Sequence, residues 1–74
     1  MRTRGAHQIL HSIAANVRRH RDLRQLTQAE LAEWADLEIR QLQRIERGEI
    51  NFGVVTLLSL ADALDVSPEE LLRP

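Results

Sequence analysis

The stretch from Leu26 to Gly48, LTQAELAEWADLEIRQLQRIERG, constrains this chain more than any other part of it. It carries two helical patterns with room between them only for a tight turn. Thr27 can cap the first helix, and Glu30 stands three residues on. TQAE is therefore a capping box, in which the hydroxyl accepts one free backbone N–H and the carboxylate another. Leu31, Ala32 and Ala35 then recur on one helical face. The pattern breaks around residues 35–38, where Asp36 best tolerates a left-handed or turn conformation. A second helix turns Leu42 and Ile45 toward a core and leaves Arg40, Gln41, Gln43, Arg44 and Arg47 outside. Gly48 closes it, as the residue that takes a left-handed C-cap without a side-chain penalty.

The flanking segments supply the remaining helices. From Ala6 to Leu23, Ile9, Leu10, Ile13, Ala14 and Val17 make an i, i+4 stripe. Arg18, Arg19 and Arg21 follow in the last turns, where cations suit the helix dipole. Residues 1–5, MRTRG, have no apolar period and read as a flexible basic arm. After the loop from Glu49 to Gly53, a fourth helix runs to about Leu64, with Val54, Leu57, Leu58, Leu60, Ala61 and Leu64 largely core. Asp65-Val66 breaks it. Ser67-Pro68-Glu69-Glu70 is a further capping box with Pro at the first helical position, and a short fifth helix carries Leu71 and Leu72. The expected fold is all-α: a compact five-helix bundle forming one domain over residues 6–74.

At 74 residues the core is small, and its stability marginal. No Cys is present, so neither a disulfide nor a thiolate metal site is expected. No apolar run reaches membrane-spanning length, and no signal-peptide core stands at the N-terminus. A cytoplasmic location follows as the expectation. His7 and His11 are i, i+4 neighbours, but His20 lies about 13 Å further along the same helix, too far to be a third ligand. No metal or cofactor is expected. Without a Ser/His/Asp or Cys/His set or a phosphate loop, an enzyme is not expected either.

The net charge of −1 conceals a gradient. Residues 1–24 hold six Arg against Asp22, a balance of +5. Residues 25–48 stand at −2 and residues 49–74 at −4. Binding to a phosphate backbone depends on a local basic face rather than on net charge. All ten basic residues are Arg. An apolar-backed helix with an Arg/Gln front suits a reader of base edges, since Arg forks onto guanine and Gln onto adenine.

LTQAELAE, RIERGE and the later TLLSLADALDVSPEELL, in this order and spacing, resemble the lambda-repressor-like helix-turn-helix family, the Cro and xenobiotic-response-element type of bacterial and phage regulators. The resemblance runs from about Val17 to Leu72 and places the helix-turn-helix at about residues 27–47. It implies a cytoplasmic, nucleoid-associated regulator of transcription: a homodimer that reads a palindromic operator in double-stranded DNA, with the second helix in the major groove. Ile39, Arg40 and Arg44 match family positions that meet base edges, with Gln41 beside them. Gln28 matches a residue that lies on a phosphate, and Asn51 one that approaches the backbone. Arg18, Gln43 and Arg47 complete the expected phosphate set. Phe52, Val54, Val55, Leu71 and Leu72 are expected near a dimer seam.

The chain also departs from the family's pattern. Gln25 and Asp36 stand where Gly is usual, Glu38 replaces a Ser or Thr cap, and Phe52 stands where Pro is frequent. His20 replaces a core Leu, and is expected half-buried with a polar partner. Trp34 replaces a solvated polar residue, either to cover the core rim or to mark a partner surface. Near-neutral charge, Glu38 and Trp34 favour an alternative: a protein-interaction module, antitoxin-like or an adaptor, with secondary DNA binding.

Overall fold

How each helix begins and ends explains the architecture. A computed structural model describes residues 4–74, with side chains from Gly5 onward. In chain order the helices are α1 (Arg4–Leu23), α2 (Gln28–Trp34), α3 (Ile39–Glu46), α4 (Val54–Leu64) and α5 (Pro68–Leu72). Among the described residues there is no strand. The first helix starts two residues ahead of the expected Ala6, so Arg4 and Gly5 belong to it. The rest of the expected arm, residues 1–3, lies outside the described residues.

The capping box at α2 is formed as expected: Glu30 N donates to Thr27 Oγ1 at 3.0 Å, and Thr27 N to Glu30 Oε1 at 2.8 Å. The expected box at α5 is not formed. Pro68 takes the first turn, but the Ser67 side chain makes no cap hydrogen bond. The Glu70 N–H that the box would give to the Ser67 hydroxyl goes instead to the Ser67 backbone carbonyl at 3.0 Å.

Four helix ends share one device. Gln25, Asp36, Gly48 and Asp65 all have φ between 56° and 71°. The residue after each donates its N–H five residues back, as in Leu26 N to Arg21 O at 3.1 Å, Leu37 N to Ala32 O at 2.8 Å and Val66 N to Ala61 O at 2.9 Å. This is the Schellman arrangement, which satisfies the last carbonyls of a helix. Leu26, Leu37 and Val66 then tuck onto the core. Only Gly48 holds its left-handed conformation without a side chain. A Cβ there would lie 2.8 Å from His11 Nδ1.

The core draws on every helix: Val17, Leu31, Leu42, Ile45, Leu60, Leu64 and Leu71 are fully buried. Burying each such side chain stabilises the fold by about 1.5–3 kcal/mol. Asn16, also buried, ties α1 to the end of α5 by donating to Leu71 O at 2.9 Å and Arg73 O at 2.7 Å.

Several apolar residues lie elsewhere than expected. Ile9 is exposed, because α1, about 30 Å long at 1.5 Å per residue, outruns the shorter helices packed on it. Val54 and Leu58, expected in the core, are exposed. They lie one turn apart on the flank of α4, at the edge of the face that buries Leu60, Ala61 and Leu64. Leu71, expected near a dimer seam, is instead a core residue, since it closes α5 against α1.

Candidate nucleic-acid interface

The second short helix, α3, buries Leu42 and Ile45 and turns its other side outward. Ile39, Arg40 and Arg44 are exposed there, while Gln41 and Gln43 are half-buried. Arg40 and Arg44 are four residues apart and so share a face. Among the described residues neither has an ion-pair or hydrogen-bond partner. Their guanidinium donors are free to meet a ligand. Glu38 caps α3 in extended backbone geometry without a side-chain hydrogen bond, as expected of a residue that is a poor N-cap.

The turn between α2 and α3 runs through Asp36 at φ 57°. Leu37, half-buried on the core, fixes the angle at which α3 leaves α2. What locks the two helices to α1 is a buried acid that sequence reasoning missed. Glu46 lies on the inner side of α3 and is 3% exposed. Arg21 of α1 donates to both its carboxylate oxygens, at 2.8 and 3.2 Å, and Gln28 of α2 donates at 3.0 Å. Gln43 donates in turn to Gln28 Oε1 at 3.4 Å, and Arg18 donates to the backbone carbonyl of Glu46. Arg21 also reaches Leu26 O at 3.0 Å, holding the turn before α2. A buried carboxylate requires such partners, because unpaired it would lose its hydration with nothing in return. The signal was present in the sequence. Glu46 follows Ile45 and sits four residues after Leu42, on the inward side of its helix, where an acid requires a cation from another element.

This network shapes an open cleft lined by Arg18, Arg21, Gln28, Gln43, Glu46 and Arg47. Four of the five expected phosphate residues therefore come together. Asn51 is exposed in the loop between α3 and α4 and does not line the cleft. Arg47 is already engaged: its Nε and Nη2 donate to the Glu49 carboxylate at 2.8 and 3.2 Å. Hydrogen bonding from Arg47 holds the Glu49 carboxyl below its ordinary pKa.

Of the expected seam residues, Val54, Val55 and Leu72 are exposed and Phe52 packs half-buried against the core. With Leu58, Val54 and Val55 give α4 an outward apolar strip. Trp34 is 59% exposed and does not cover the core rim. His20 is half-buried, but its Nε2 is enclosed without a hydrogen-bond partner, in place of the polar contact expected.

Two short helices joined by a tight turn, the second with a free polar front, make this a helix-turn-helix protein. The chain matches the helix-turn-helix domain family over residues 12–73 and belongs to it. It is 40% identical over 60 residues to the control protein C.SmaI of Serratia marcescens, a match spanning 81% of this chain and 71% of that protein. Among solved structures it is similar to the restriction-modification controller protein C.AhdI from Aeromonas hydrophila. That similarity has a TM-score of 0.81 and 35% identity, over 84% of this chain and 94% of the other. It is also similar to the hypothetical transcription factor NHTF from Neisseria, with a TM-score of 0.86 and 29% identity, over 89% of this chain and 76% of that one.

Proposed function

We propose that this chain regulates transcription by binding double-stranded DNA in a sequence-specific way, as a cytoplasmic homodimer. The observation that carries the reading is the pair Arg40 and Arg44, exposed one turn apart on α3 with no internal partner. Each can fork onto a guanine in the major groove, with Ile39 against a thymine methyl and Gln41 beside them. The cleft formed by Arg18, Gln28, Gln43 and Arg47, with Asn51 in the following loop, sits on the flanking phosphates and sets the helix in register. One recognition helix makes too few base contacts for useful specificity. A second copy, docked through the Val54, Val55 and Leu58 strip with Leu72 and Phe52 at its edge, would place two helices in successive major grooves. No helix among the described residues is long and apolar enough to cross a membrane.

C.SmaI and C.AhdI, named as a control protein and a restriction-modification controller, support a narrower target: the control region of restriction-modification genes. Selection of duplexes from a randomised library tests the whole reading, with the Arg40→Ala/Arg44→Ala protein in parallel. A palindromic motif that the variant loses is the expected result. If that motif recurs beside restriction or modification genes, the narrower target follows. No enrichment by the folded wild-type protein would overturn DNA reading and turn the search to a protein partner at Trp34.

A further inference from the structure

Three Arg side chains line the cleft, yet their charges are not equally available. Arg21 is neutralised by the buried Glu46, which makes a fixed structural pair. Arg18 donates to a neutral backbone carbonyl and keeps its full charge. Arg47 is neutralised by Glu49, two residues on, in a pair whose side chains are 57% and 48% exposed. Glu46 cannot be exchanged without unfolding the hub, whereas Glu49 can be.

The Arg47–Glu49 pair has two points of contact, the same fork by which an Arg grips two oxygens of a phosphate. A phosphate entering the cleft therefore meets a carboxylate already in its place. We infer that Glu49 is an internal competitor for phosphate, which holds the Arg47 fork in the free protein and must be displaced when the cleft closes on a DNA backbone. This inference rests on the DNA-binding reading above and assigns the residue that sets its electrostatic strength. The lowered pKa of Glu49 agrees with a carboxylate that accepts hydrogen bonds from Arg47. As an exposed ion pair it is weak, so a polyanion displaces it readily.

The competition acts on affinity and on the time spent at each site, and leaves specificity unchanged. Phosphate contacts carry no sequence information, whereas base contacts do. A residue that weakens only the phosphate term lowers binding to all sequences and leaves discrimination by Arg40 and Arg44 intact. In a cell crowded with non-specific sites, it reduces the time the protein spends at wrong ones.

The test measures binding of wild type, Glu49→Gln, Arg47→Ala and the double variant to a random-sequence duplex across a salt series. Glu69→Gln, on α5 away from the cleft, controls for net charge. Glu49→Gln is expected to bind about three-fold tighter or more. Its plot of log K against log salt should steepen by about 0.9 per bound protomer. In the Arg47→Ala background the same substitution should gain markedly less, because the partner it releases is gone. An equal gain with and without Arg47, or an equal gain from Glu69→Gln, would make the effect one of general charge and overturn the inference. If wild type binds the duplex and Glu49→Gln binds no better, the inference falls and DNA binding stands. If folded wild type binds no duplex even at low salt, both fall. Circular dichroism confirms that each variant is folded; Glu49 is exposed, and its removal leaves no buried group unpaired.

Discussion

The residue with the clearest fault is His20. Its Nε2 is enclosed without a partner, and burial is the main cause of its lowered pKa, with Arg19 and Arg24 adding to it and Glu70 opposing. The sign of the pH effect follows directly. The unfolded chain takes up this proton near 6.5, its ordinary value, and the folded chain only at lower pH. Between those two values the unfolded state binds more protons, so stability falls as pH drops through 6.5 and levels off once the folded histidine is also protonated. His20→Leu should restore an apolar contact with the neighbouring Leu23 and Val66. It should stabilise the protein by about 1 kcal/mol at neutral pH. It should also flatten the loss of stability below pH 6.5, as read by urea denaturation at several pH values. An unchanged pH profile would mean that the loss arises elsewhere. Gln25 and Asp36 are smaller faults of another kind: both hold left-handed backbone where Gly would be free of strain.

At the scale of the element, local signals other than the box at Ser67 were legible and long-range ones were not. The capping box at Thr27, the turn at Asp36, the stop at Gly48 and Pro68 at the start of α5 are each written within a few residues, and each is found. The face that a helix buries depends on what packs against it, and there the reading failed for Val54, Leu58, Ile9 and Leu71. All four belong to apolar patterns in which periodicity alone cannot tell a covered turn from a bare one. Asn16 shows the limit plainly: its partners lie 55 and 57 residues away, and nothing near it in the chain announces them. The weak start of α3 was, by contrast, legible from Glu38. Replacing Glu38→Ser should supply the missing cap, adding about 0.5–1 kcal/mol to thermal stability. It also removes a negative charge from the end of that helix which the proposed reading turns toward DNA, so on that reading affinity for duplex should rise with it. A gain in stability with no gain in affinity would place Glu38 away from the phosphates.

For the molecule as a whole, two features govern behaviour: the Glu46 hub and the bare strip on α4. Breaking the hub with Glu46→Ala leaves Arg21, whose side chain is only 17% exposed, with only the exposed Asp22 carboxylate at 3.6 Å in place of its buried partner. The expected cost is about 3–5 kcal/mol, a large share of the stability of so small a domain, visible as a collapse of the melting temperature. The strip is a different case. Val55, 78% exposed, can be changed to Glu without disturbing the fold. Val55→Glu should leave the melting curve of the monomer intact, shift sedimentation toward the monomer and weaken operator binding. A dimer that survives this change would place the seam elsewhere. The candidate site was legible in its Arg and Gln residues, but not in the acid that arranges them, because a hub is defined by three helices meeting. The hub also bears on kinetics. One carboxylate gathers α1, α2 and α3 to a single point before any ligand arrives, so the helices are set in advance and the ordering left for binding is that of exposed side chains such as Arg40 and Arg44. An encounter with a duplex then finds a preset backbone, on which the side chains of Arg40 and Arg44 are placed and the exchange at Arg47 is made. The association rate should be governed by charge steering and orientation, with no slow rearrangement to wait for.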